Sequence, residues 1–277
     1  MRDRDQPTPG SGRAAATTPY LTAGPAADGR PVLFCFPHAG GSASVFTALR
    51  TALAPVADVL PVQLPGRENR LRDRRPGSMA ELVAVLDQQL DPYLAGPHVF
   101  YGHSMGALVA HDLVARRQER GVRIPDRLVA GAARGPRLPA AFVAAHVDSD
   151  EKLLERIVDC GGMSPDLLRY PDWYRPALEL TRADLGLCAT RSTSPTAPLD
   201  CPVDVFHGVA DPLVTERDAL AWVGAGSVGG ALHRFDGGHF FFLRESAGPF
   251  ASRLGAVVRA TAEPAGPDRK TVPPRQR

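Results

Sequence analysis

The chain has 277 residues, of which 44% are hydrophobic and 22% charged. It is long enough for one α/β domain with a full core. Thirty-two Lys and Arg stand against 30 Asp and Glu, a balance that argues against a general nucleic-acid binder. No run of about 18 apolar residues occurs, so no membrane-spanning helix is expected, and the charged, Pro- and Gly-containing start lacks the apolar stretch of a secretory signal.

In chain order, residues 1–28 read as a disordered tail. Val32–Phe36 (VLFCF) reads as a buried strand that stops at Pro37. The Gly/Ser-rich turn HAGGSAS follows, then a helix over 45–54, a strand over 58–62 and the polar loop LPGRENRLRDRRPG. Ser78, with Glu81 three residues on, marks a capping box ahead of a helix carrying Leu82, Val85, Leu86 and Leu90. The strand His98–Gly102 leads into a helix over 104–120, and a further strand spans 127–133. Residues 139–198 carry helical spacing (Leu153, Leu154, Ile157, Val158; Leu178, Leu185, Leu187) without a strand signal. They read as a helical lid or cap, or as extra packing helices. Strand 203–207, a helix near 216–222, strand 232–235 and a closing helix over 241–261 complete the domain, and residues 263–277 read as a second tail. Strand–helix alternation of this kind predicts the α/β class, with a mostly parallel sheet and helices on both faces.

Four cysteines (Cys35, Cys160, Cys188 and Cys201) show no metal-ligand spacing. Cys35 lies in an apolar strand, where a free buried thiol is expected. Disulfides are unnecessary at this size, which favours a reducing, cytoplasmic setting.

The chemistry centres on Gly102-His103-Ser104-Met105-Gly106. It matches the G-x-S-x-G nucleophile elbow and lies between an apolar strand and a helix, as that motif requires. A serine hydroxyl needs an adjacent base. His239, in the Gly-Gly loop after the last strand, fits the chain order Ser–acid–His; His207, at a strand end, is the rival. His103 neighbours Ser104 but points the other way on a strand, and His98, His111, His146 and His233 show no route to it. Asp211, after strand 203–207, is the best acid; Asp236 sits too close to His239 in the same turn. Two N–H donors should face the developing oxyanion. Met105 supplies one, and Ala39, with Gly40 as the alternative, supplies the other.

The segments FCFPHAGGSAS, VQLPGRENR, YGHSMGAL, TRADL, HGVAD and GGHF, in that order over about residues 31–260, resemble the type II thioesterases that accompany polyketide synthases and nonribosomal peptide synthetases. The resemblance implies an α/β-hydrolase fold with a lid over 139–198. It further implies hydrolysis of acyl thioesters from the phosphopantetheine arm of an acyl or peptidyl carrier protein, as an editing step. Carried over, Ser104 takes the acyl group, His239 moves the proton, Asp211 orients His239, and Met105 and Ala39 offer N–H groups. No cofactor, metal, nucleic acid or membrane partner is implied, and a monomer is the simplest expectation. A carboxylesterase or lipase, an acyl transferase and a non-catalytic member of the fold are the competing readings. The loop 67–75 carries five arginines against two acids and reads either as a docking surface for an acidic carrier or as a solvated loop.

Overall fold

Residue alternation along the strands explains the layers. In the computed structural model, which describes residues 18–26, 29–140, 149–194, 197–244 and 247–262, β1 (Val32–Phe36) is buried from its second residue onward. Phe34 and Phe36 pack into one core, Leu33 and Cys35 into another. Successive side chains of a strand point to opposite faces, so a continuous apolar run is a strand covered on both sides.

Six parallel strands run in the order β2-β1-β3-β4-β5-β6: β2 is Asp58–Pro61, β3 His98–His103, β4 Arg127–Gly131, β5 Val203–Gly208 and β6 Leu232–Phe235. The first face carries α2 (Met79–Leu90) and α3 (Met105–Glu119), through Leu82, Leu86, Leu90, Ala110 and Leu113. The second face carries α1 (Thr47–Leu53) and α7 (Ala247–Ala262), through Leu49, Leu53, Phe250 and Leu254. Each fully buried Phe or Leu contributes about 1.5–3 kcal/mol, so the two cores fix the register of the sheet. Between β4 and β5, the described residues form α4 (Asp150–Asp159) and α5 (Pro171–Ala189) and no strand. Leu153, Ile157, Leu178 and Leu185 close a third, smaller core that rests on Ala39. The parallel α/β architecture and the helical insertion thus match the sequence reading. Between β5 and β6, Thr215 caps the short α6 (Glu216–Leu220).

Three local details differ from that reading. Residues 18–21, assigned to the tail, join the fold: Leu21 bridges Val62, Gln63 N–H donates to Tyr20 C=O at 2.8 Å, and the Arg70 guanidinium lies 4.0 Å over the Tyr20 ring. An aromatic ring covered on one side and stacked by a cation on the other holds a short edge segment that composition alone marks as polar. Of both expected tails, residues 1–17, 27–28 and 263–277 lie outside the described residues, as does His146. The capping box at α2 is half formed. Ser78 Oγ accepts from Glu81 N–H, but the Glu81 carboxylate reaches back one residue further, to Gly77 N–H at 2.7 Å. The closing helix begins at Ala247, after a 3₁₀ turn over Phe241–Leu243. No helix among the described residues is long and apolar enough to cross a membrane.

At the crossing of β3 into α3, backbones approach closely. A Cβ at Gly106 would strike the backbone of Phe36 and lie 2.7 Å from Pro37 O, and one at Gly102 would strike the Gly106 carbonyl. Neither neighbour is a flexible side-chain end. Gly106→Ala should therefore cost about 2–3 kcal/mol by overpacking, a fall in melting temperature of about 4–12 °C; thermal unfolding followed by circular dichroism measures it.

Candidate active site

Ser104 lies between the last residue of β3 and the first of α3, with φ 54° and ψ −116°. This is a left-handed backbone for a residue with a Cβ, and it costs about 1–3 kcal/mol. The turn is held by Ser104 N–H donating to Gly131 C=O at 2.8 Å and by Ala107 N–H donating to Ser104 C=O at 3.0 Å. The serine side chain thereby stands at the rim of the sheet, above the start of a helix whose first N–H groups lack intrahelical acceptors.

His239 comes to the same rim from the loop after β6. Its Nδ1–H donates to Asp211 Oδ2 at 2.8 Å, and the Asp211 side chain has no exposed surface. The other carboxylate oxygen, Oδ1, accepts from Leu213 N–H at 2.8 Å and Val214 N–H at 3.2 Å. With both oxygens engaged, the carboxylate has a single orientation. With Nδ1 committed as donor, the neutral imidazole keeps its lone pair on Nε2. The two loops are also tied through the backbone: Val209 N–H donates to Phe235 C=O and Ala210 N–H to Gly237 C=O, both at 2.9 Å. Ser104 and His239 line one cavity. No hydrogen bond joins them among the described residues; such bonds commonly tighten only when substrate is bound.

The remaining histidines separate from this pair. His207, the rival base, is buried on β5 with its Nδ1 unpartnered, and burial lowers its pKa. Asp236 is exposed, and the carboxylate bonded to the His239 ring is that of Asp211. His103 does not reach into the cavity as a base, yet it has a part that the sequence did not reveal. Its Nε2 faces the His239 carbonyl at 2.9 Å and its Nδ1 faces the Tyr101 hydroxyl at 2.9 Å. A carbonyl can only accept, so Nε2 carries the proton and Nδ1 accepts from Tyr101. Burial holds the ring well below the usual imidazole pKa, and the neutral ring pins the His239 backbone from beneath. Alternation places side chains of β3 residues 101 and 103 on one face of the strand, a signal that a Tyr-x-His pair beside the elbow carries in the sequence.

The loop after β1 supplies the opposite wall. Ala39 lines the cavity with Ser104 and His239. Gly41 N–H donates to His38 C=O at 2.9 Å and Gly40 N–H to Asp184 Oδ2 at 2.8 Å. Gly40, the alternative oxyanion donor, is thus already engaged, and Ala39 N–H is the one of the three without an acceptor among the described residues. His38 also lines the cavity; burial pushes its pKa down to about 3. Cys160 borders it too, with its thiol pushed up to about 11 by burial, so it competes poorly as a nucleophile. Ser104 also borders a second cavity, lined by Met105, Leu108, Ala133, Arg134, Cys188 and Val214; Leu185 of α5 borders both.

Of the five arginines in loop 67–75, two do not face solvent. Arg67 is 4% and Arg70 7% exposed. Arg67 forms a two-pronged pair with Asp184 at 2.8 and 2.9 Å, and Arg70 bonds Asp73 and the Gln63 carbonyl. A docking face made of all five is excluded by this burial.

A thioesterase domain family model matches residues 31–257. The chain belongs to the thioesterase family. The probable cadicidin biosynthesis thioesterase of Streptomyces griseus is 32% identical over 237 residues, covering 86% of this chain and 63%, less than two thirds, of that protein. Among solved structures, the RedJ thioesterase of the prodiginine pathway in Streptomyces coelicolor superposes with a TM-score of 0.76 at 33% identity, over 90% of this chain and 96% of RedJ. BorB, a type II thioesterase from the borrelidin biosynthetic cluster, gives a TM-score of 0.75 at 32% identity, over 85% and 95% of the two chains. The fold seen here is therefore that of type II thioesterases, which agrees with the resemblance read from the motifs.

Two predictions follow from this geometry. Asp211→Asn would leave the packing in place but offer His239 Nδ1 an amide, favouring the wrong tautomer; kcat on a model thioester should drop by about 10⁴-fold. Acid should destabilise the fold through its buried imidazoles. The pKa values of His103, His38 and His98 are all depressed by burial, His98 to about 4. As pH falls through about 6.5 the unfolded chain takes up protons that the folded chain refuses, so stability is lost below that pH at up to about 1.4 kcal/mol per unit per group. His103→Gln should flatten this acid slope, measured as melting temperature between pH 7 and pH 5.

Proposed function

We propose that this chain hydrolyses acyl thioesters held on the phosphopantetheine arm of acyl or peptidyl carrier proteins in polyketide or nonribosomal peptide biosynthesis, clearing stalled or aberrant groups. The observation that carries the reading is the buried His239–Asp211 hydrogen bond facing the cavity that Ser104 shares.

In this reading Ser104 Oγ attacks the thioester carbonyl carbon while His239 Nε2 takes its proton. The carbonyl oxygen becomes an oxyanion between Met105 N–H and Ala39 N–H. The C–S bond breaks, and the pantetheine thiol leaves with the proton from His239. Water then attacks the acyl-Ser104 ester, deprotonated by His239, and the acid departs as Ser104 recovers its proton. A thiolate needs little protonation to leave, so one triad and one oxyanion hole suffice. No step calls for a cofactor or metal.

Thioester specificity draws support from the family membership and from the site's shape. A carrier-bound thioester has two arms flanking its carbonyl, and Ser104 borders two cavities. Four free cysteines suit a reducing cytoplasm. The runner-up, a general carboxylesterase, would use the same triad on free oxyesters.

The test is turnover of a panel of acyl groups loaded on carrier protein, set beside p-nitrophenyl esters of the same acyl chains. The carrier thioesters should be turned over with the higher kcat/KM, and Ser104→Ala should reduce their hydrolysis by at least about 10³-fold. Preference for the p-nitrophenyl esters would favour the carboxylesterase; unchanged activity in Ser104→Ala would remove the mechanism.

A further inference from the structure

Two motifs of this chain, LPGRE and TRADL, meet far from where their sequence places them. Arg67 and Asp184 lie 117 residues apart and pair with both guanidinium nitrogens, at 2.8 and 2.9 Å, with 4% and 2% of their side chains exposed. Neither touches the His239–Asp211 pair. Both instead grip the loop that carries Ala39. Asp184 Oδ2 takes the Gly40 N–H at 2.8 Å, and Arg67 Nη1 donates to the Gly41 carbonyl at 2.6 Å. One turn earlier on α5, Thr181 lies so close to Gly40 that any Cβ there would collide with it, and Gly40 has φ +76°. Gln63, just ahead of LPGRE, and Glu68 within it grip the same loop. Gln63 Oε1 accepts from Ala43 N–H at 2.8 Å and Glu68 accepts from Ser42 Oγ at 2.6 Å.

We propose that the Arg67–Asp184 pair positions the oxyanion hole. By taking Gly40 N–H and Gly41 C=O, it leaves Ala39 N–H as the loop's donor and aims it over Ser104. Because Asp184 belongs to α5, the hole is complete only while that helix is seated on the loop. Stability is a poor explanation for such a pair. Removing two charges from water offsets most of their attraction, and well-packed apolar replacements of buried pairs are often as stable. Orientation is different: an apolar pair holds neither the amide of residue 40 nor the carbonyl of residue 41. A donor misdirected by 1 Å loses most of its effect on the transition state.

The inference rests on the Ser104 reaction of the previous subsection but not on the identity of the carrier. Its test uses the full chain, an acyl N-acetylcysteamine thioester, and an alkyl trifluoromethyl ketone as inhibitor. Ser104 Oγ adds to the ketone carbon, His239 takes the hydroxyl proton, and the ketone oxygen becomes an alkoxide in the oxyanion hole. Four variants are compared: Asp184→Asn, Arg67→Lys, Arg67→Met, and the double Arg67→Met/Asp184→Leu. The double variant leaves no unpaired buried charge, so it should fold with a melting temperature above that of Arg67→Met. Its kcat should nevertheless fall at least about tenfold, with KM little changed, and the ketone's inhibition constant should rise by a similar factor. Arg67→Lys should keep more activity than Arg67→Met.

A double variant with wild-type kcat and wild-type ketone affinity would overturn the proposal, as would activity lost in every variant with ketone affinity untouched. Wild-type turnover and inhibition in the same assay check the Ser104 reaction itself. A failure of that reading appears in the wild type, and a failure of this one only in the variants.

Discussion

A buried carboxylate accepts a hydrogen bond from His239 Nδ1–H, and everything else at the rim of the sheet is arranged around that bond. Asp211 could not hold the ring if it were free to rotate. Two backbone amides hold its second oxygen, and the cross-links between the loops after β5 and β6 hold the chain on either side. Beneath, Tyr101 and His103 fix the His239 carbonyl. The imidazole is thus restrained at its ring by one partner and at its backbone by another. An imidazole held this way presents its lone pair in one direction, which is what the proposed attack by Ser104 requires.

That turn is the second constraint. A left-handed Ser104 persists only because the strand and helix on either side cannot move: β3 is buried along its whole length, and α3 buries most of its residues. The glycines at 102 and 106 are the places where three backbones cross. They were legible in the sequence because a backbone that tolerates no Cβ leaves a fixed spacing of glycines. The chain order of Ser104, Asp211 and His239 was legible for a related reason. Parallel strands bring all their carboxyl ends to one rim, so loops after successive strands meet there.

What the sequence concealed lies at long range. Arg67 sits in a run of arginines that reads as a solvated face, and charged residues are rarely buried unless paired. Its partner stands 117 residues on, in a helix whose apolar spacing draws the eye to Leu178 and Leu185. An acid at position 184, beside Leu185 on a buried face, was the available hint, since an unpaired carboxylate there would be costly. Tyr20 escaped notice for a similar reason: one ring pinned by Arg70 and by a single antiparallel bridge leaves no periodic pattern. Local rules located strands, helices and the elbow to within a few residues. Contacts across the fold, which tie the loop after β1 to Arg67 and α5, are set by packing and leave no short-range trace.

The reaction proposed for Ser104 requires its covalent acylation during turnover. Rapid acid quenching during turnover of a loaded carrier thioester, followed by intact-protein and peptide mass spectrometry, detects that species. A transient mass gain equal to the acyl group less one hydrogen is expected, confined to the peptide containing Ser104. Steady hydrolysis with no adduct on that peptide, or with the acyl group on another residue, would contradict it.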